Sequence, residues 1–394
     1  MRVKLKDAFN LQMGKTPSRA DLSMWGGDNK WISIADIGSA KKYISSTKEC
    51  ITDEGVSRSG IKVVPEGTVI MSFKLSIGKT AIVSEDMYTN EAIMAFIDNG
   101  TYCIDPNYLY HLCCGMDWTQ GGNKAVMGLT LNKATLSEME IELPTIEEQR
   151  EIASILDQLD AIIEKRHDEL NMIEQLVKSR FIELFGDGND ERFPLKTLPQ
   201  IVAKDRHALK RGPFGGALKK DDFVESGYLV YEQRHAIHND FEYEKYYISP
   251  KKYQEMSMFK VSPGDLIISC SGVTLGRIAE IPVYAKAGII NQALLKVSLD
   301  QSIMLNTFFV HQFRSERIQD ILFGFCRGSG IPNFPSMSEV KSVKFICPPI
   351  ALQEQFAAFV EQTDKSKYFA CQTLSFLLKL ANNLQSWREK QYDY

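Results

Sequence analysis

The sequence predicts a mixed α/β protein built as an internal repeat, with two globular domains, each followed by a long helix, and the two helices paired as a coiled coil. Three observations predict it. Pro144-Thr-Ile-Glu-Glu-Gln-Arg-Glu-Ile-Ala-Ser-Ile-Leu-Asp-Gln-Leu-Asp160 returns without a gap, 204 positions later, as Pro348-Pro-Ile-Ala-Leu-Gln-Glu-Gln-Phe-Ala-Ala-Phe-Val-Glu-Gln-Thr-Asp364. Behind each copy, apolar residues recur at three- and four-residue steps. Ahead of each, short β-rich runs lie between turn residues in the same order.

The first domain, 1–143, contains Gly67-Thr-Val-Ile-Met-Ser72, Ile77-Gly-Lys79 and Asn90-Glu-Ala92. Its echo in the second domain, 187–346, is Gly264-Asp-Leu-Ile-Ile-Ser269, Leu275-Gly-Arg277 and Asn291-Gln-Ala293. The drifting offset is what insertions in surface loops produce. Pro65-Glu-Gly67, Ser262-Pro-Gly264 and Arg211-Gly-Pro213 punctuate both as turns.

The first helix is expected over 144–186. Thr145 and Glu148 stand at capping-box spacing and Gly186 where a C′ glycine would end the helix. Its stripe is Ile152, Ile155, Leu159, Ile163, Leu170, Ile173, Val177 and Leu184. The second helix, 347–394, shows Phe356, Phe359, Thr363, Ala370, Leu377, Leu380, Leu384 and Trp387, interrupted by Lys367-Tyr-Phe369. A spacing near 3.5 suits a helix packed along a partner helix. Some 40 residues of helix make a rod about 60 Å long. If the helices run antiparallel, the order domain–helix–domain–helix acquires a pseudo-twofold axis. Successive turns of a DNA groove lie about 34 Å apart, so such a spacer suits two reading heads on one duplex. Diverged domains imply unlike half-sites.

Composition narrows the class. With 44% hydrophobic and 24% charged residues the chain reads as soluble and folded, and 394 residues suit two or three domains. The charged start, Met1-Arg-Val-Lys-Leu-Lys-Asp, argues against a secretory leader, and no apolar run reaches membrane-span length, so a cytoplasmic protein without a membrane partner is expected. Eight cysteines without CxxC or zinc-finger spacing fit a reducing compartment and no metal.

The net charge of −4 does not exclude nucleic acid. The segment 145–185 alone carries ten acids against five bases, whereas 204–220 carries six bases against one acid.

Candidate DNA-contacting residues lie in Gly-and-base loops of both domains. In the first they are Lys15, Ser18, Arg19, Lys74, Lys79, Gln120, Asn123 and Lys124. In the second they are Lys210, Arg211, Lys219, Gln233, Arg234, His235, Thr274, Arg277, Arg327 and Ser329. Gln and Arg suit bidentate contact with adenine and guanine edges, and the small polar groups and bases suit phosphates. Singly, a solvated surface role explains each as well; the set recurring in both domains favours contact.

Catalytic readings are weaker. Cys347-Pro-Pro-Ile350 lacks the polar first and aromatic last residue of the loop with which amino-methyltransferases hold a flipped base. No GxxxxGK[ST] loop and no dinucleotide glycine fingerprint occurs. Asp320 with Glu339-Val-Lys341 has a metal-nuclease spacing, but one easily met by chance. No catalytic residues are therefore assigned.

Taken together, Gly14-Lys-Thr-Pro-Ser-Arg19, Gly212-Pro-Phe-Gly-Gly-Ala-Leu218, Tyr231-Glu-Gln-Arg-His-Ala-Ile237, Ala287-Gly-Ile-Ile-Asn-Gln-Ala-Leu294, Leu143-Pro-Thr-Ile-Glu-Glu-Gln149 and Pro348-Pro-Ile-Ala-Leu-Gln353 resemble the specificity subunits of type I restriction-modification systems, in order and over nearly the whole chain. The resemblance implies two target-recognition domains on an antiparallel pair of spacer helices, each reading half of a bipartite, asymmetric DNA site. It implies double-stranded DNA and two modification subunits as partners, with restriction subunits joining. It implies no cofactor in this chain: S-adenosylmethionine belongs to the modification subunits, ATP and Mg to the restriction subunit. The alternatives are a degenerate scaffold that assembles modification subunits without binding DNA, and the recognition part of a self-sufficient restriction enzyme, which would need a catalytic domain on the same polypeptide.

Overall fold

The computed structural model describes the chain apart from residues 75, 119–122, 126–127, 187–191, 215, 273, 325–333 and 391–394; side chains within 123–130 and 382–390 also fall outside it. Two compact units emerge. The first is Met1–Asp168 with the C-terminal stretch from Cys371, and the second is Glu169–Ala370, so both boundaries fall inside the long helices.

In each unit a central strand is buried on both faces, which is why it reads as an unbroken apolar run rather than an alternation. In the first unit that strand is Val69–Ser72, in a sheet ordered Phe9–Met13, Ile93–Asp98, Val69–Ser72, Thr80–Val83, Tyr43–Ile44. Val69 and Met71 face a core with Phe9, Phe96 and Leu109, while Ile70 faces Ile32, Ile44 and Val83. In the second unit Leu266–Ser269 holds the same place, between Leu294–Val297 and Ile278–Glu280. There Leu266 and Ile268 face one core and Ile267 the other.

The correspondence extends to the second sheets. Trp25–Ile32 pairs in parallel with Tyr88–Thr89 and antiparallel with Glu49–Ile51. Tyr228–Tyr231 likewise pairs in parallel with Gly288–Ile290 and antiparallel with Tyr247–Ile248. A two-stranded ladder closes each domain at the helix entry: Arg2–Lys4 with Glu140–Glu142, and Leu195–Thr197 with Lys344–Ile346. The sequence repeat is thus a repeat of topology.

The long helices run Ile146–Phe185 and Ile350–Lys390. The first opens on the expected capping box: the Thr145 amide donates to Glu148 Oε2 at 2.9 Å and the Glu148 amide to Thr145 Oγ1 at 3.3 Å. It ends at Gly186, whose φ of +69° is the left-handed value a glycine adopts without strain. Within the second unit the two helices run antiparallel: Lys367 Nζ meets Glu174 at 2.6 Å, while further along Phe181 packs on Phe356 with centroids 5.4 Å apart.

The inward stripe differs in part from expectation. Ile155 is half exposed, and Ala153, Leu156 and Leu159 form the buried face at that level. The domain chooses this face, because the neighbouring position Asp157 is held by Lys42 at 2.5 Å and by His111 Nε2 at 2.7 Å. On the second helix Leu380 is exposed, and Leu384 and Trp387 lie outside the described side chains. Lys367 does interrupt the stripe, and Tyr368 and Phe369 point outward.

A buried glutamine locks each helix to its domain. Gln149 Nε2 donates to the carbonyls of Cys103 and Pro144, both at 3.1 Å, and Oε1 accepts the Asp105 amide at 2.9 Å. Gln353 repeats this with Ile303 (3.1 Å), Pro348 (2.8 Å) and the Leu305 amide (2.9 Å).

The histidines at 111 and 311 sit at equivalent places on the short helices Pro106–Gly115 and Asn306–Phe313. His311 packs edge-on against Phe356 at 5.1 Å. Burial, then Arg314 and Lys367, push its pKa down to about 4. An unfolded histidine titrates near 6.5, so the unfolded state takes up the proton first as pH falls. The stability it contributes is complete above about 6.5 and is lost as pH drops towards 4. Denaturant titrations are expected to give a lower midpoint at pH 5 than at pH 7.5, with a smaller difference in His311→Phe; an unchanged pH slope in that variant counts against the assignment.

Candidate nucleic-acid interface

The site is built from loops that the two sheets hold together. In the first unit the Gly14 amide donates to Ile93 O (3.2 Å) and the Lys15 amide to Thr89 O (2.9 Å). A Cβ on Gly14 would overlap the carbonyl oxygens of Thr89 and Asn90, so only glycine allows this approach. The chain beyond is anchored by two indoles: Trp31 Nε1 donates to Lys15 O at 3.0 Å and Trp25 Nε1 to Ser18 O at 3.1 Å.

Arg19 stands on this platform. Its guanidinium lies 3.8 Å from the Trp25 ring centroid and forms a fork to Glu49 at 2.5 and 2.9 Å. That bonding holds the Glu49 carboxyl below the usual range. The result is a half-exposed cation held in one orientation, which lowers the ordering cost of meeting a ligand.

Thr16 donates to Glu91, and this bond, followed by the charges of Lys74 and Arg19, holds the Glu91 carboxyl low. Arg19 and Lys74 thus both favour the charged form of Glu91. Ser18 is exposed beside them in sequence. Lys15 is not presented in the same way: its ammonium donates to Ser59 O and Gly60 O, each at 3.2 Å, capping the helix Asp53–Ser59. Lys79 lies against Gly38. Gln120 falls outside the described residues; Asn123 and Lys124 are seen only as backbone, in the hairpin Asn123–Ala125 with Gly128–Thr130.

The second unit repeats the frame with other side chains. The Gly212 amide donates to Leu294 O at 2.8 Å, and a Cβ there would overlap Asn291 O. Two residues on, where the first unit has Thr16, Phe214 projects with 61% of its surface exposed. Ser269 Oγ donates to Thr274 O at 2.6 Å and accepts the Arg277 amide at 2.9 Å, shaping the hairpin that presents exposed Arg277; Ser72 shapes its counterpart through Ser76 O and the Lys79 amide. Gln233 accepts from Ser271 Oγ at 2.9 Å, joining this hairpin to the Tyr231–Ile237 segment. Thr274 itself is half-buried.

Arg234 is exposed, 4.3 Å over the Tyr243 ring and 3.7 Å from Asp240. Lys210 lies over Phe259, and Lys219 is exposed. Two expected contacts are corrected. His235 is 1% exposed: Nδ1 accepts the Glu232 amide at 3.0 Å and Nε2 donates to Tyr243 O at 2.9 Å, so both nitrogens are used in shaping the loop. Arg211 is half-buried, its guanidinium between the rings of Phe214 (5.1 Å) and Phe334 (5.0 Å), which makes it a support for Phe214 rather than a free cation. Arg327 and Ser329 lie outside the described residues.

Sequence reading missed Trp25, Glu49 and Glu91, which nothing local marks, and His111 with His311, which the repeat itself relates. Glu339, half of the nuclease spacing, caps the helix Met337–Ser342 by accepting the Ser336 amide at 2.8 Å. Among the described residues no cluster of metal-ligating side chains occurs, and no helix is long and apolar enough to cross a membrane.

Residues 1–175 match the family model of the type I restriction modification DNA specificity domain. The chain is similar to the MjaIX specificity subunit of Methanocaldococcus jannaschii, 24% identical over 375 residues that cover 91% of this chain and 85% of that one. It is also similar to the EcoR124I/EcoR124II specificity subunit of Escherichia coli, 27% identical over 157 residues, 38% of each chain. Among solved structures, the type I restriction-modification S subunit from M. genitalium superposes with a TM-score of 0.55 at 14% identity, over 98% of this chain and 94% of that one. A chain from a structure of type I R-M complex assembly and conformational transition superposes at 0.62 with 16% identity, over 98% and 96%. These two likenesses concern the fold.

Proposed function

We propose, for a chain that belongs to the specificity subunits of type I restriction-modification systems, that its two units read the two unlike halves of one bipartite DNA site and direct an adenine methyltransferase to it. The observation that carries this reading is the duplicated frame. The same glycine approach, serine hairpin and asparagine turn occur in both units, while the side chains they present differ. One frame with two sets of exposed groups suits an asymmetric site.

Two modification subunits are the proposed partners, with restriction subunits joining them. This chain contributes no chemistry to the reaction. S-adenosylmethionine is bound by the modification subunits, and ATP and Mg by the restriction subunit.

The test is single-molecule methylome sequencing of a methylation-free host expressing the chain with its modification subunit. A bipartite, non-palindromic motif methylated at adenine and lost when this chain is omitted is expected. An assembled complex that leaves no modified motif overturns the reading in favour of a scaffold.

Charge reversal gives a second expected outcome. Lys210→Glu, Arg234→Glu and Arg277→Glu together should weaken duplex binding of the assembled complex at least about tenfold and flatten its salt dependence, since each lost phosphate contact lowers the slope by nearly one. Fluorescence anisotropy across a salt series measures both.

A further inference from the structure

Phe214 stands in water at the end of a stack rooted in the core of the second unit. Its ring is 61% exposed. The Arg211 guanidinium lies 5.1 Å from that ring and 5.0 Å from the ring of Phe334. Phe334 in turn belongs to the main core, with Phe309 and Phe345. The backbone below is fixed as well. The Gly212 amide donates to Leu294 O at 2.8 Å, Pro213 is buried, and the Ala217 amide returns to Phe214 O at 3.4 Å. The ring is therefore held out on a brace.

One exposed apolar side chain is ordinary on a protein surface. A braced one is different, because this brace is destabilising: Arg211 Nε is buried with no hydrogen-bond partner among the described residues. A cation set behind an aromatic ring suits a ligand that is both flat and anionic, as a base step between phosphates is. Lys219 is exposed at the same turn, where a Cβ on Gly216 would lie 3.5 Å from its Cε. Phe214 also belongs to the Gly212–Leu218 string through which the chain resembles its family, so its task cannot depend on which base it meets. Stacking satisfies that condition, since every base has a π face. In the first unit the same place after the glycine holds Thr16, which is tied to Glu91 and has no ring to stack.

We propose that Phe214 enters the duplex as a wedge between two stacked bases of the half-site read by the second unit, and that the first half-site is read without such a wedge. This rests on the DNA-reading function above. An apolar wedge unstacks one step and kinks the duplex there. The test uses the full chain assembled with its modification subunit, on duplexes carrying the methylated motif with 2-aminopurine placed in turn at each position of both halves. Fluorescence is expected to rise at one step of one half-site, and Phe214→Ala to abolish that rise. A rise at the methylated adenine itself reports base flipping by the methyltransferase and is expected in both halves, with or without Phe214. Phe214→Ala should also weaken duplex binding about tenfold, the scale of one lost stacking contact. Its salt dependence should stay unchanged, since no charge is removed.

Phe214→Trp keeps a flat ring and should retain the rise; its loss there would count against stacking. A wild-type complex with no rise outside the methylated adenines would overturn the wedge, as would a rise that persists in Phe214→Ala. If Phe214→Ala fails to assemble, Phe214→Thr, which copies the first unit, decides by the same readout. A wild-type chain that yields no methylated motif overturns the DNA-reading function, and the wedge with it.

Discussion

Replacing Phe185 by alanine is expected to destabilise the second unit by about 3–5 kcal/mol, the range for removing a buried phenylalanine ring. Phe185 is fully buried at the end of the first long helix. Its ring meets Phe308 at 4.7 Å, Phe356 at 5.7 Å and Phe193 at 6.1 Å, and Phe181 packs beside it at 5.1 Å. Three separate elements thus lose a shared neighbour: the short helix Asn306–Phe313, the second long helix and the segment after Gly186. The rings of Phe308 and Phe356 meet that of Phe185 edge to face, and a smaller residue cannot restore that geometry by local relaxation. Urea denaturation followed by circular dichroism measures the loss. A change below about 1 kcal/mol would mean that the cluster refills the space, contrary to the cavity argument.

The second large effect is expected at Gln353. Gln353→Leu keeps the approximate volume but removes two donors and an acceptor from a fully buried position. The carbonyl of Pro348 and the amide of Leu305 are then left unpaired away from water, and the carbonyl of Ile303 keeps only the weak donor of the Cys347 thiol. At about 1–3 kcal/mol for each unpaired group the total is about 2–6 kcal/mol. Gln353→Glu separates donor from shape: a carboxylate still accepts the Leu305 amide but cannot donate to either carbonyl. Both variants should lower the thermal midpoint at pH 7. A glutamate variant as stable as the native chain would show that water replaces the missing donors.

The long helices were legible because their signals are local. Thr145, Glu148 and Gly186 announce the ends of the first, and the apolar spacing runs between them. The duplicated topology was legible because the Gly67–Ser72 and Gly264–Ser269 strings keep their order. What remained hidden depends on direction in space. Ile155 and Leu156 are equally apolar, and only the anchoring of Asp157 by Lys42 and His111 decides which is buried.

Residue type likewise misled at the interface. Lys15, Arg211 and His235 have the chemistry of DNA contacts, yet a helix terminus, two aromatic rings and two backbone groups claim them first. Glu49, which fixes Arg19, is thirty residues away, with no spacing rule that links the two.

The duplicated frame of the two units also makes the chain its own control. A saturation scan of one half ranks tolerance at every framed position, and the other half supplies an independent replicate in the same cell, under the same expression level and the same assay. Positions where the two tolerance profiles agree report on the frame. Positions where they part company report on what each half has been selected to contact, and this separates folding from recognition without any ligand being identified beforehand.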